Sequence, residues 1–164
     1  MIKLAVIGAA GRMGRRIMAL AIESEQFDVV AGLEMTGHDD IGSDIGALAG
    51  IGTFGVKVND TLEEAADVAI DFSLPEGTSH WVEVCKDHKI PMVIGTTGLT
   101  ESQEAAVADA ASMMPIVKAG NYSMGINLLC RLIAQAAKTL GQDYDIEVSE
   151  THHRFKKDAR SEEH

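Results

Sequence analysis

A chain of 164 residues with 46% apolar and 24% charged side chains has the composition of one folded domain, or of one domain and part of another, and excludes a disordered polyelectrolyte. Its 25 Asp and Glu outnumber its 14 Lys and Arg, for a net charge of −11, which argues against nucleic acid or an anionic membrane as a partner. Cys85 and Cys130 stand in apolar contexts without metal or disulfide spacing, so both are expected to be buried free thiols in a reducing compartment.

Residues 2–7 are a short apolar run that reads as a strand, and residues 13–24 recur with apolar side chains at Met13, Ile17, Leu20 and Ala21, a helical period. Arg12, Arg15 and Arg16 stand where a secretion signal would need small residues for cleavage, so a cytoplasmic location is expected. Residues 27–33 read as a second strand, and the Gly- and Asp-rich stretch 37–55 as a long surface loop. A short acidic helix at 62–66 leads to a third strand at 68–72. Pro75 opens a helix to His88, since its missing N–H costs nothing in a first helical turn.

Strand 91–94, helix 101–112 and strand 116–118 complete an alternation that predicts βα units around a parallel sheet. Beyond Asn121 the character changes. Residues 126–140 read as a long helix, whose apolar stretch is broken by Asn127, Arg131 and Gln135 and is too short to span a bilayer. Residues 144–149 alternate strictly, as a strand with one wet face does. The expected organisation is therefore a first domain over 1–120 and a second, open-faced α/β domain begun by 121–164.

Gly8, Gly11 and Gly14 stand in GAAGRMG between the first strand and the first helix, with Ala9, Ala10, Arg12 and Met13 between them. Glycines there permit a tight turn and the approach of backbone to a pyrophosphate at a helix N-terminus; the alternative is a turn kept for packing. Glu34 follows Gly14 by 20 residues at the end of the second strand, where a carboxylate accepts hydrogen bonds from ribose hydroxyls, although such acids are also common solvated groups. Met35 brings no charge for a 2′-phosphate, so NADH should bind at least as well as NADPH, with Arg12 in partial compensation.

Gly95-Thr96-Thr97-Gly98 and Gly120-Asn121-Tyr122-Ser123 follow the fourth and fifth predicted strands and Asp71-Phe72-Ser73 lies at the end of the third, along the edge where open α/β sheets bind ligands. Ordinary turn chemistry would also place them there. Glu150-Thr151-His152-His153-Arg154-Phe155-Lys156-Lys157 gathers groups that donate protons near neutral pH and hold carboxylates. No supporting Cys or carboxylate spacing accompanies the His pair, so no metal site is expected. A plain basic surface loop is the alternative.

GAAGRMG, DFSLPEGT, VIGTTG, GNYSMGIN and ETHHRFKKDA, in this order and spacing from Met1 to Ala159, make the chain resemble the 4-hydroxy-tetrahydrodipicolinate (dihydrodipicolinate) reductases of lysine and diaminopimelate biosynthesis. The resemblance implies a Rossmann-type doubly wound domain holding NADH or NADPH and a second α/β domain that binds a small cyclic dicarboxylate. It implies His152 as the acid/base group, Lys156 as a proton donor and His153 as a substrate ligand. Gly8, Ala9, Ala10, Gly11, Arg12, Met13, Gly14, Glu34, Phe72, Gly95, Thr96, Thr97, Ala119, Gly120, Asn121 and Tyr122 are the expected cofactor contacts. Homotetramers built through the second domain are implied as well. After Ala159 the family continues with a Pro-Ser-Gly-Thr segment, whereas this sequence reads Arg160-Ser161-Glu162-Glu163-His164. The expectation is thus a truncated second domain, leaving open a reductase or a cofactor-binding module without catalysis.

Overall fold

The computed structural model describes residues 1–147 and Ser149. Six strands form one parallel sheet in the order β3-β2-β1-β4-β5-β6: β1 Ile2–Ile7, β2 Phe27–Leu33, β3 Val58–Asn59, β4 Val68–Asp71, β5 Met92–Ile94 and β6 Ile116–Lys118. The helices are α1 Arg12–Glu23, α2 Ile45–Ala49, α3 Pro75–His88, α4 Glu101–Ala111 and α5 Met124–Leu140. The chain divides into a compact unit Met1–Lys118 and a second unit that begins at Ala119.

The period of two in a strand explains the two layers of core. Ala5 and Ile7 of β1 pack on one face with Leu33, Trp81, Cys85, Ile94 and Val107, under α3 and α4. Leu4 and Val6 point to the other face, where Met18, Ala21, Val29, Ile45 and Val58 lie under α1 and α2. A parallel sheet covered on both sides is therefore dictated by apolar residues at successive positions rather than by alternation. On α1 the stripe facing the sheet is Gly14, Met18 and Ala21, while Met13 and Leu20 of the expected period are each half exposed.

Several expected elements differ. The stretch 37–55 is not all surface loop, because it carries α2, whose Ile45 and Gly46 are buried, and leads into β3, so the strand at 68–71 is the fourth and not the third. Two residues of β3 are too few to show a period. Residues 62–66 form no helix. No side chain caps that stretch as Asp44 caps α2, and it runs irregularly to Asp67, whose N–H and carboxylate pair with the Lys3 carbonyl and N–H, both at 2.8 Å. Cys130 is exposed on α5, whereas Cys85 is buried, and burial with the charge of Asp71 pushes its thiol up to about 12. Among the described residues of 144–149 there is no strand, since none of them has a neighbouring strand to pair with.

Asp44 holds the α2 segment in place. Its carboxylate accepts N–H groups from Phe54, Gly55, Ala47 and Gly46 at 2.9, 2.7, 3.0 and 2.9 Å. These bonds, that from Phe54 foremost, hold its pKa below the 3.8 of a free aspartate. Because the folded-state value is depressed, the stabilisation is present above the unfolded value and is lost as pH falls through the folded one. Asp44→Asn should lower the urea midpoint at pH 7, and the gap to the parent chain should narrow towards about pH 2. An equal gap at both pH values would remove the charge from the explanation.

Candidate functional site

The strand order reverses between β1 and β4, and the crevice at the carboxyl ends of these strands is where open α/β sheets hold ligands. Gly8, Ala10, Gly11, Glu34, Met35, His38, Phe72, Ser73, Leu74, Glu76 and Gly77 line a cleft of about 360 Å³ there.

Each glycine of GAAGRMG has its own reason. Gly8 sits at φ +74°, and a Cβ on it would lie 2.8 Å from the Phe72 carbonyl oxygen and 2.9 Å from Ser73 Cα. Gly14 is buried, and its Cβ would overlap the Gly8 carbonyl and lie 2.8 Å from Ala9 Cα. Gly8 is thus required by its backbone conformation and by packing, and Gly14 by packing. Gly11 is different, because its φ of −70° is open to any residue and a Cβ there meets only the Gly8 carbonyl oxygen, at 3.1 Å. It is exposed at the N-cap of α1, and no side chain caps that helix. Uncapped N–H groups at the start of a 12-residue helix, behind a residue with no side chain, form an anion site of the kind a pyrophosphate fills.

Glu34 leaves β2 beside this loop, with its Oε1 accepting the Ala10 N–H at 2.8 Å and its own N–H donating to the Asn59 carbonyl at 3.0 Å. The second carboxylate oxygen is the atom suited to ribose hydroxyls. Arg15 acts on the loop from below, where its Nε donates to the Ala10 carbonyl at 2.7 Å and its Nη2 to Asp40 at 3.4 Å. Its guanidinium is thereby committed to the protein. Met35 and Leu74 are apolar, 39% and 65% exposed, and line the same cleft, as suits a flat apolar ring.

Phe72 and the segment after β5 extend the edge. A Cβ on Gly95 would overlap the Phe72 ring, and the buried Thr96 donates its hydroxyl to the Ser73 carbonyl at 3.5 Å. Gly8, Ala10, Gly11, Glu34 and Phe72 of the expected contacts therefore share one cleft, while Ala9 is buried in the core and Arg12 and Met13 are exposed at the start of α1. Thr97 follows Thr96 in the β5–α4 connection. Ala119, Gly120, Asn121 and Tyr122 open the second unit. There Ser123 N–H donates to Asn121 Oδ1 at 2.8 Å, Asn127 Nδ2 donates to the Asn121 carbonyl at 3.1 Å, and Ser123 Oγ caps α5 by accepting the Ile126 N–H at 3.4 Å. His152, His153 and Lys156 lie outside the described residues.

Arg15, His38, Leu74, Glu76 and Gly77 were not foreseen as part of the site. The cleft wall that Leu74, Glu76 and Gly77 supply lies at the start of α3, and PEG reads in sequence as a helix opening rather than a ligand wall. Among the described residues no group of three or more His, Cys, Asp or Glu is placed to hold a metal ion, and no helix is long and apolar enough to cross a membrane.

Residues 2–122 match the family of dihydrodipicolinate reductase N-terminal domains, and residues 125–163 that of its C-terminal domains. The chain belongs to the dihydrodipicolinate reductase family. The 4-hydroxy-tetrahydrodipicolinate reductase of Alkalilimnicola ehrlichii is 48% identical over 162 residues, which are 97% of this chain and 61% of the relative. That of Citrifermentans bemidjiense is 43% identical over 164 residues, 98% of this chain and again 61% of the relative. The chain thus spans about three fifths of the length of these curated relatives. A dipicolinate-bound dihydrodipicolinate reductase from Paenisporosarcina sp. TG-14 superposes with a TM-score of 0.64 at 25% identity, over 83% of this chain and 53% of that one. A myo-inositol dehydrogenase from Corynebacterium glutamicum, at 15% identity and a TM-score of 0.58 over 83% and 42% of the two chains, shares the fold. The Rossmann-type α/β fold expected from the motifs is therefore the fold of this reductase family.

Proposed function

We propose that this chain is the nucleotide-binding part of an enzyme that reduces 4-hydroxy-tetrahydrodipicolinate to tetrahydrodipicolinate with NADH or NADPH. The observation that carries the reading is Gly11, the one motif glycine that packing leaves unexplained, at an uncapped helix N-terminus beside Glu34. When bound, a reduced nicotinamide supplies a hydride. The names of reactant and product fix the balance: a ring hydroxyl is exchanged for hydrogen, so one hydride and one proton enter and water leaves.

The chain's own residues divide this work. The α1 N-terminus takes the pyrophosphate, Glu34 the adenosine ribose, and Phe72, Gly95, Thr96 and Thr97 with Ala119, Gly120, Asn121 and Tyr122 the nicotinamide half. His152 is the acid/base group, Lys156 the proton donor that lets the hydroxyl leave as water, and His153 a ligand of the cyclic dicarboxylate. The first domain covers 1–120 and the second begins at 121. A cytoplasmic location and a homotetrameric assembly belong to the same proposal. A dinucleotide-binding module without catalysis is the second reading, favoured by one observation: the cleft formed by the glycine loop, Glu34 and the start of α3 lies within the unit Met1–Lys118. Isothermal titration with NADH and NADPH, together with a turnover assay, separates the two.

Cofactor choice follows from the charges in the cleft. Glu34 is held at the ribose position by Ala10, Glu76 lines the same cleft, and Arg15 is occupied by Ala10 and Asp40. A 2′-phosphate therefore meets carboxylates at the ribose end of the cleft, with Arg12, exposed at the start of α1, in partial compensation. NADPH should bind no more than about tenfold tighter than NADH, and Met35→Arg should shift the ratio towards NADPH. A stronger NADPH preference in the unaltered chain would contradict this account.

A further inference from the structure

Asp71 ends β4, the strand beside the glycine-loop strand, and its side chain is fully buried. Among the described residues it makes no ion pair. Its Oδ2 accepts the hydroxyl of the equally buried Thr78 at 2.5 Å, and its Oδ1 accepts the Ser73 N–H at 2.9 Å. A carboxylate taken out of water costs several kcal/mol that two hydrogen bonds only partly offset, and an apolar residue of similar size would serve the core better. The group earns its place only by what it holds in position.

What it holds is the turn Phe72–Ser73–Leu74 between β4 and α3. That turn is the contact point of three strand-end loops. The Phe72 carbonyl and Ser73 Cα press against Gly8, the Phe72 ring covers Gly95, and the Ser73 carbonyl accepts the Thr96 hydroxyl at 3.5 Å. The Asp71 carbonyl itself accepts the Gly95 N–H at 2.8 Å. Phe72, Ser73 and Leu74 are also cleft wall, and Thr78 is anchored on the α3 turn that presents Glu76 and Gly77.

We infer that the Asp71–Thr78–Ser73 network is a positioning device for the nucleotide: it sets the spacing of the three loops so that the cleft is formed before the cofactor arrives. The inference rests on the nucleotide-binding reading of the cleft. Loops placed in advance spare the ligand the entropy of ordering them, so loosening the network weakens binding without touching a ligand contact. Neither Asp71 nor Thr78 has exposed surface.

The test uses the full chain, with isothermal titration of NADH and thermal melting without nucleotide followed through Trp81, the sole tryptophan. Thr78→Val keeps the shape and removes the hydroxyl; Asp71→Asn removes the charge; Thr78→Ser restores the hydroxyl. Thr78→Val and Asp71→Asn should each melt as folded proteins and lose about tenfold or more in NADH affinity, the worth of a hydrogen bond to a charged group, while Thr78→Ser binds like the parent. Amide exchange of Ser73 should quicken in Thr78→Val while that of β1 does not. Parent-like affinity in a folded Thr78→Val, or failure of Thr78→Ser to restore binding, overturns the inference. If Asp71→Asn does not fold, the neutral Thr78 pair decides alone, and unfolding of Thr78→Val would make the network a fold determinant and overturn the positioning role. No NADH binding by the unaltered chain would instead overturn the nucleotide reading beneath it.

Discussion

Gly11→Val is expected to abolish NADH binding while leaving the fold intact. The two halves of that statement rest on different observations. The backbone at Gly11 has φ −70° and ψ 165°, an extended conformation that valine adopts readily, and a Cβ there meets only the Gly8 carbonyl oxygen at 3.1 Å, a contact that a few tenths of an ångström relieve. The branched side chain would stand over the N–H groups of α1, in the volume a pyrophosphate must enter to reach them. Loss of several kcal/mol, about a thousandfold or more in affinity, is the expected scale when a charged ligand is denied its donors. Circular dichroism and melting check the fold, and titration checks the affinity. Gly8→Val and Gly14→Val are the contrast, since both would place carbon against backbone atoms and lose the fold as well. Undiminished NADH affinity in folded Gly11→Val would return all three glycines to packing.

That contrast also marks how far the sequence was readable. Strands β1, β2 and β6 and helix α3 lie where periodicity and punctuation put them, because each carries its own signal: an apolar run, or Pro75 at a helix start. The pieces that were missed carry none. The helix α2 has five residues and is held by the Asp44 carboxylate, β3 pairs two residues with β2, and the acidic stretch after Thr61 forms no helix and ends at Asp67, tied to Lys3. For β3 and the end of the acidic stretch the deciding contacts are remote in sequence, and for α2 they are those of the single Asp44 side chain with the helix start and with Phe54 and Gly55. The site shows the same division. A glycine loop is a local pattern, whereas the roles of Arg15, Leu74 and Glu76 exist only after β1, β2 and β4 are laid side by side. Asp71 is the sharpest case: in the run Val68–Asp71 it reads as the polar end of a strand, and the structure puts it wholly inside.

Catalysis should depend on the second domain far more than binding does. The cleft lined by Gly8, Gly11, Glu34 and Leu74 is built within the unit Met1–Lys118, so the pyrophosphate and adenosine share of NADH affinity should be a property of that unit. The proposed proton donors, His152 and Lys156, belong to the second domain, of which the described residues supply α5, a helix with no buried side chain, a 3-10 turn at Gly141–Asp143 and a few irregular residues. About two fifths of the length of the matched relatives lies outside the match. A proton donor accelerates hydride transfer only when it is held within hydrogen-bond reach of the substrate, and misplacement of about 1 Å costs about a hundredfold. The 164-residue polypeptide by itself is therefore expected to reduce 4-hydroxy-tetrahydrodipicolinate very slowly while binding NADH normally. A chain continued with the remaining part of the Alkalilimnicola ehrlichii relative should turn over at a rate at least about a hundredfold higher. In that longer protein His152→Ala and Lys156→Ala should each lower kcat by about a hundredfold or more, the usual worth of a general acid, with NADH affinity nearly unchanged. Rapid turnover by the 164-residue chain would mean that its own residues already fix the donors, and an active double variant would move the proton chemistry to other groups.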